Sequence, residues 1–261
     1  MAQIKVKTRL FVEGDLAQGA IMGLGPLQAH YLHHVLRLKS GDSIALFNGR
    51  DGEWLGNIEG LGRGWCSLAI VDRRRPQAPE PDLWLVFAPI KRARLDFLVQ
   101  KATELGVSAL WPVFTRHSQI TRVNAERLRA NAIDAAQQCE RLGVPEVFEA
   151  CALDEAIARW PGDRRLLVCD ESGAAPPISA ALAREAARVA RGGAKAEPWS
   201  VLVGPEGGFS RSELDALQKL PFVTAVGMGP RVLRADTAAL AALACWQAFL
   251  GDWPTQAPRR R

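Results

Sequence analysis

The five cysteines of this chain, Cys66, Cys139, Cys151, Cys169 and Cys245, are odd in number, widely scattered and never spaced as C-x-x-C. That pattern excludes a cysteine zinc ribbon and a disulfide scaffold, and it fits a reduced, cytoplasmic protein. No apolar run reaches about 18 residues, so no membrane-spanning helix is expected. The N-terminal MAQIKVKTRLFVEGD alternates charged and apolar residues, where a secretory leader needs a continuous apolar stretch. Metal-binding signatures are missing too. His30, His33 and His34 have helical i, i+3, i+4 spacing, but there is no H-E-x-x-H and no carboxylate to complete a set. Packing or RNA contact therefore outranks a metal site, and no metal is expected.

What is present suits a globular chain of 261 residues, 48% hydrophobic and 23% charged, enough for one large domain or two ordinary ones. The formal charge is +5, of which Arg259, Arg260 and Arg261 supply three. A basic balance permits a nucleic-acid partner through release of phosphate counterions, without requiring one.

The texture changes along the chain. Residues 4–12 alternate like a half-buried strand, PLQAHYLHHVLRLKSGD reads as a short helix, and SIALFNG, EWLGNIEG and GWCSLAIVD read as three strands. Residues 1–72 are thus a small, mostly β barrel or sandwich, and the charged, proline-rich 73–82 is a linker. GLGRGW (60–65) precedes a strand instead of joining strand to helix, so its glycines read as turn residues. From 83 to 254, apolar strand runs alternate with helical patterns. They include LWLVFAPI, VSALWPVFT, RRLLVCDE, WSVLVGPE and VTAVGM, with Asn124 placed to cap an alanine-rich helix. That alternation predicts an α/β domain with a parallel sheet covered on both faces. Residues 255–261 form a basic tail, expected to be disordered.

Two glycine-rich loops carry the chemistry. In VLVGPEGGFSRSEL, Ser210 and Glu213 form a capping box, so the loop Gly204–Gly208 lies where a strand ends and a helix begins. Open α/β sheets place ligands there, and glycines let a ligand approach the main chain. The loop has no P-loop lysine and carries Glu206, so it favours a neutral or cationic ligand over phosphate. In VGMGPRVLRADTAAL, Gly227, Gly229, Pro230, Arg231 and Arg234 again lead into a helix, with Asp236 or Thr237 as its N-cap. The two loops together offer polar anchors and apolar walls.

The paired LVGPEGGFSRSEL and GMGPRVLRADTAALAAL segments resemble the SPOUT superfamily of RNA methyltransferases, in particular the 16S rRNA (uracil-N3)-methyltransferase family. HYLHHVLRLKSGDSIALFNG, KRARLDFLVQKATELGVSALWPVFTRHS and AAQQCERLGVPEV extend the resemblance over nearly the whole chain, in order. The sequence departs from the family pattern at Ala235–Ala238, where Thr-Glu-Thr-Ala is usual, at Gln137, where Glu is usual, and at Glu140, where Gly is frequent. The resemblance implies an α/β domain with a trefoil knot, a PUA-like N-terminal barrel, a homodimer, and S-adenosylmethionine as cofactor. It implies that Leu202, Val203, Gly204, Pro205, Glu206, Gly207 and Gly208, with Val226, Gly227, Met228, Gly229, Val232, Leu233 and Ala235, enclose that cofactor. The implied activity is methylation of a uridine N3 in 16S rRNA, as free rRNA or within the small ribosomal subunit. Its alternatives are methylation of a ribose 2′-hydroxyl or another base, or a non-catalytic RNA-binding protein of this fold.

Uracil N3 must lose its imide proton before it can attack a methyl group. Arg231 or Arg234 is expected to stabilise the developing uracil anion, and Asp236 to orient that arginine or assist proton removal. Arg9, Arg37 and Lys39 in the first domain, and Lys91, Arg92, Arg94 and Arg116 in the second, are the expected phosphate contacts.

Overall fold

The computed structural model describes residues 6–192 and 197–254. The chain forms two compact units, one built on the residues up to Pro79 with Ala136–Val144, the other on Glu80–Ala135 and the chain from Pro145 onward. Residues 255–261, expected to be a basic tail, lie outside the described residues.

In the first unit, β1 (Val6–Phe11), β2 (Ile21–Leu24), β3 (Ser43–Phe47), β4 (Glu53–Gly62) and β5 (Trp65–Arg75) form one sheet in the order β1-β3-β4-β5-β2. The β1–β3 pair is parallel and the others are antiparallel. Along β5, Cys66, Leu68 and Ile70 are buried while Trp65, Ser67 and Ala69 face outward, the period-2 pattern of a sheet with one buried face. The buried face packs with Leu10, Leu32, Ile44, Leu46 and Ile58 into a single core. The helix expected after residue 26 is shorter: α1 covers Pro26–His30 and gives way to a π-turn over Tyr31–Val35.

Two expectations change here. Residues 73–82 are not linker throughout, because β5 continues to Arg75, where it pairs with Glu53 of β4. Arg74 and Arg75 contact the Glu53 carboxylate at 2.8 and 2.6 Å, so their charge marks an ion-pair network. Arg9, expected to contact RNA, belongs to the same network. Its side chain is 9% exposed, its Nε lies 2.7 Å from Glu53, and its other nitrogens donate to the carbonyls of Ala136, Gln137 and Arg141. A guanidinium so buried, with four of its five N–H donors engaged, is placed for an internal tie and not for a phosphate.

The second unit is a parallel sheet built from β6 (Leu83–Phe87), β7 (Ala109–Phe114), β8 (Glu146–Val147), β10 (Arg165–Cys169), β11 (Trp199–Val203) and β12 (Val223–Val226). Its order is β12-β10-β11-β6-β7-β8, and the two-residue β9 (Cys151–Ala152) pairs with β7. Leu85–Phe87, Leu166–Val168 and Val201–Val203 are buried, as parallel strands between helical layers must be. The helices are α2 (Arg92–Glu104), α3 (Ala125–Gln138), α4 (Leu153–Ala158), α5 (Ile178–Gly192), α6 (Arg211–Gln218) and α7 (Ala235–Phe249). Asn124 caps α3, accepting the Arg127 N–H at 2.9 Å, and Ser210 and Glu213 complete the capping box of α6. The α7 cap differs from expectation. Arg234 occupies it, and its carbonyl accepts the Ala238 N–H at 2.8 Å. Asp236 and Thr237 lie inside the first turn, where Asp236 accepts the Thr237 N–H at 3.0 Å. The small buried residues Ala239 and Ala242 bring α7 close to α2, α5 and β11.

Candidate active site

The strands β12, β10 and β11 are neighbours, so their carboxyl ends open side by side. The chain leaves β10 through α5 to reach β11 on one side, and leaves β11 through α6 to reach β12 on the other side of β10. Connections that diverge in this way leave a crevice above the strand ends. It holds a cavity of about 290 Å³, near the lower end of small-molecule sites.

Three loops wall this cavity. The loop after β11 contributes Val203, Gly204, Pro205, Glu206 and Gly208, and the loop after β12 contributes Gly227, Met228, Gly229, Arg231, Val232 and Leu233, with Ala235 behind them. The third loop follows β10 and brings Cys169, Asp170, Glu171 and Gly173, none of which the sequence reading selected. A carboxylate pair directly after the apolar strand RRLLVC was the available signal. Pro230 and Ala238 line the cavity as well.

Three residues expected to enclose the cofactor are not among those lining the cavity. Leu202 and Val226 are completely buried within their strands. Gly207 turns to His117, whose Nδ1 lies 3.1 Å from the Gly207 carbonyl oxygen. Alternation along β11 sends Leu202 to the face opposite Val203, which lines the cavity.

The glycines of these loops answer mainly to the protein's own atoms. A Cβ on Gly204 would stand 3.0 Å from the Phe209 ring, and one on Gly227 would stand 3.1 Å from the Ala175 carbonyl oxygen. Gly208 has φ +67°, and a Cβ there would overlap the Glu171 carboxylate. Glu171 occupies that space because it accepts the Phe209 N–H at 2.9 Å, tying the β10 loop to the β11 loop. Gly227 is held through its N–H to Pro176 and its carbonyl to Ile178. Among the described residues, the main-chain groups of Met228, Gly229 and Leu233 have no such partner, leaving them to a ligand or to water.

Acid predominates around the cavity. Asp170, Glu171 and Glu206 line it, against the single cation Arg231. Asp170 is buried and accepts the Ser172 N–H at 2.8 Å. Burial, helped by the nearby Glu171 charge and Cys245, pushes the Cys169 thiol up to about 12, so it is an inert wall and no nucleophile. The donor set combines free main-chain groups, apolar surface from Val203, Met228 and Leu233, and surplus carboxylate. This set fits a small, partly apolar cation such as S-adenosylmethionine.

Of the expected catalytic residues, Arg231 lines the cavity, while Arg234 and Asp236 lie at the start of α7. Both arginines are exposed. Lys91, Arg92 and Arg94 gather around the N-terminus of α2, and the exposed Arg116 donates its main-chain N–H to Glu213. Arg37 and Lys39 are exposed in the first unit. Among the described residues no His, Cys, Asp and Glu group is arranged to hold a metal ion, and no helix is long and apolar enough to cross a membrane.

The sequence matches two family models, the RNA methyltransferase domain over residues 77–247 and the RNA methyltransferase PUA domain over residues 28–71. It is 31% identical over 241 residues to the Ribosomal RNA small subunit methyltransferase E of Rickettsia conorii, covering 90% of this chain and 93% of that protein. The crystal structure of a Ribosomal RNA small subunit methyltransferase E from Neisseria gonorrhoeae, bound to S-adenosyl methionine, is similar with a TM-score of 0.80 at 26% identity. That match covers 94% of this chain and 99% of the other. The protein Lpg2936 of Legionella pneumophila, in complex with the same cofactor, gives 0.79 at 25% identity, covering 94% of this chain and 98% of the other.

Proposed function

The chain belongs to the ribosomal RNA small subunit methyltransferase E family, and from that premise we propose that it methylates 16S rRNA at N3 of a uridine, using S-adenosylmethionine. One observation carries the reading. Loops from three adjacent strand ends converge on a single acid-rich cavity whose free main-chain groups and apolar walls suit that cofactor. Gly204, Met228, Gly229 and Leu233 would hold the adenosine by main-chain atoms and apolar contact, and Asp170, Glu171 and Glu206 would face its positive charges. When bound, the cofactor supplies a methyl group activated by its sulfonium.

The chain's residues supply alignment and charge. The exposed Arg231 lines the cavity and the exposed Arg234 caps α7 three residues on; in this reading one of these guanidiniums meets the oxygen of a uracil losing its N3 proton. Asp236, in the first turn of α7, stands two residues from Arg234 and would orient it or take the proton. In the same reading the first unit is a PUA-like barrel for RNA, the second carries the trefoil knot of the SPOUT enzymes, and the protein is a cytoplasmic homodimer. The match of residues 28–71 to a PUA model supports the RNA role. Light scattering of the purified chain checks the dimer.

The direct test is methyl transfer from labelled S-adenosylmethionine to 16S rRNA taken from a deletion strain, with the modified nucleotide mapped. Cofactor binding without transfer would favour a non-catalytic RNA-binding protein. Arg234→Ala should lose about 10²–10³-fold in turnover while keeping cofactor affinity, measured by calorimetry. Equal losses in both would make Arg234 a binding residue.

A further inference from the structure

Two features of the first unit have no part in the site above: the glycines of GLGRGW and the three clustered histidines. In the structure α1, which carries His30, packs against β5, which opens with Trp65. Gly62 and Trp65 face each other across the β4–β5 hairpin, with Arg63 and Gly64 forming its turn. The Trp65 indole lies over the neighbouring strand. A Cβ on Gly60 would stand 2.7 Å from the ring, and one on Gly62 would overlap the indole Nε1. These glycines are thus the bed on which an aromatic ring rests flat.

The ring's other side is open. Trp65 is 54% exposed, although tryptophan normally buries most of its surface. The sheet face around it holds small residues, Ser67 and Ala69 on β5 and Gly23 on β2, with Ile21 exposed beyond them. Arginine and imidazole groups accompany the hairpin. Arg63 is exposed, and the imidazoles of His30, His33 and His34 are exposed and packed on one another, with ring centres 4.6 and 4.5 Å apart. Reduced hydration, followed by the fields of His33, His30 and Arg63, holds the His34 imidazole below its ordinary value, which places the arginine and the histidines in one electrostatic neighbourhood.

We propose that Trp65, braced on Gly60 and Gly62, is a stacking platform for an unpaired base of the RNA substrate, with Arg63 and the His30–His33–His34 cluster beside it as phosphate contacts. A flat, exposed ring with small neighbours and an arginine beside it is a combination by which proteins hold single-stranded nucleic acid. The charges around it favour a polyanion over an apolar protein partner. This inference rests on the RNA-modifying reading above and extends it to a second contact, in the first unit.

The experiment uses the full-length chain with a 16S rRNA transcript, measuring affinity by filter binding and methyl transfer separately. Trp65→Leu keeps an apolar side chain over the glycines but has no aromatic face, and it should weaken RNA binding about 5- to 150-fold. Trp65→Phe keeps a ring and should stay within a few-fold of the parent. Arg63→Gln should lower the slope of log affinity against log salt by about 0.7. Thermal melting of each variant separates a binding defect from unfolding. Binding by Trp65→Leu within twofold of the parent, or equal losses for Leu and Phe in folded protein, would overturn the platform. A parent chain that binds the transcript but transfers no methyl group would instead overturn the catalytic reading, leaving the affinity comparison to decide the platform.

Discussion

Gly208 shows how a single residue serves the site without meeting a ligand. Its φ of +67° is costly for any L side chain, and its missing Cβ leaves the space that Glu171 fills. Gly208→Ala should displace the Glu171 carboxylate and strand the Phe209 N–H, costing about 2 kcal/mol of stability and weakening cofactor binding. Gly229→Ala, with φ +95° but open space around it, should cost only about 1 kcal/mol. Denaturant titration of the two variants compares them. Equal costs would remove the role assigned to Glu171. The same steric reasoning explains a departure from the family pattern. Glu140, where glycine is frequent, adopts φ +63°, a conformation that glycine takes without strain. The glycines themselves were legible in the sequence as loop markers. What each one avoids was not, because Phe209, Glu171 and Ala175 approach only in the folded chain.

Among the elements, α6 has the clearest local instructions. Ser210 accepts from Glu213, and Glu213 answers with bonds to the Ser210 N–H at 2.7 Å and the Arg116 N–H at 2.8 Å. Burial alone would raise the Glu213 carboxyl, but the bonds from Arg116 and Ser210 outweigh it and hold it below its usual value. Ser210→Ala should cost about 1 kcal/mol, read as a lower melting temperature. A change too small to resolve would mean that tertiary packing alone holds the start of α6. Long periodic elements such as α2, α3 and β3–β5 were legible in the sequence, and so was the Ser210–Glu213 cap. The short β2, β8, β9 and α4 were not. These four are too short to show a period and lack the unbroken apolar run of strands such as β10 and β11, so their form comes from the neighbours they pack against. The α7 cap was misplaced for a related reason: Asp236 is a good capping residue by type, but its carboxylate turned to the adjacent N–H of Thr237.

At the scale of the whole molecule, one buried carboxylate ties distant parts of the sequence together. Glu53 meets Arg9, Arg74 and Arg75, and Arg9 reaches on to carbonyls between residues 136 and 141. Glu53→Gln would leave the Arg9 guanidinium buried without its counter-charge, and should destabilise the protein by about 3 kcal/mol at neutral pH in urea titration. The pH dependence follows. Burial opposes ionisation of Glu53, yet hydrogen bonds and charges from Arg75 and Arg9 outweigh it and hold the carboxyl below 4.5. A carboxyl held low in the folded state contributes stability that is present above its unfolded value and lost as pH falls through the folded one. Stability should therefore decline below about pH 4.5, and less steeply in Glu53→Gln, which has no carboxyl to titrate at that position. Parallel acid profiles for the two proteins would show that Glu53 does not drive the loss.

By itself the sequence determined the alternation of strands and helices, the two glycine loops at strand ends and the polarity of each face. All of these arise from backbone preference and hydrophobic spacing over a few neighbouring residues. Tertiary structure alone decided that Arg9 is an internal tie, that the β10 loop adds Asp170 and Glu171 to the cavity beside Glu206, and that Trp65 lies open on a bed of glycine. Each of these depends on contacts between segments remote in sequence, and local periodicity carries no record of which remote atoms will meet.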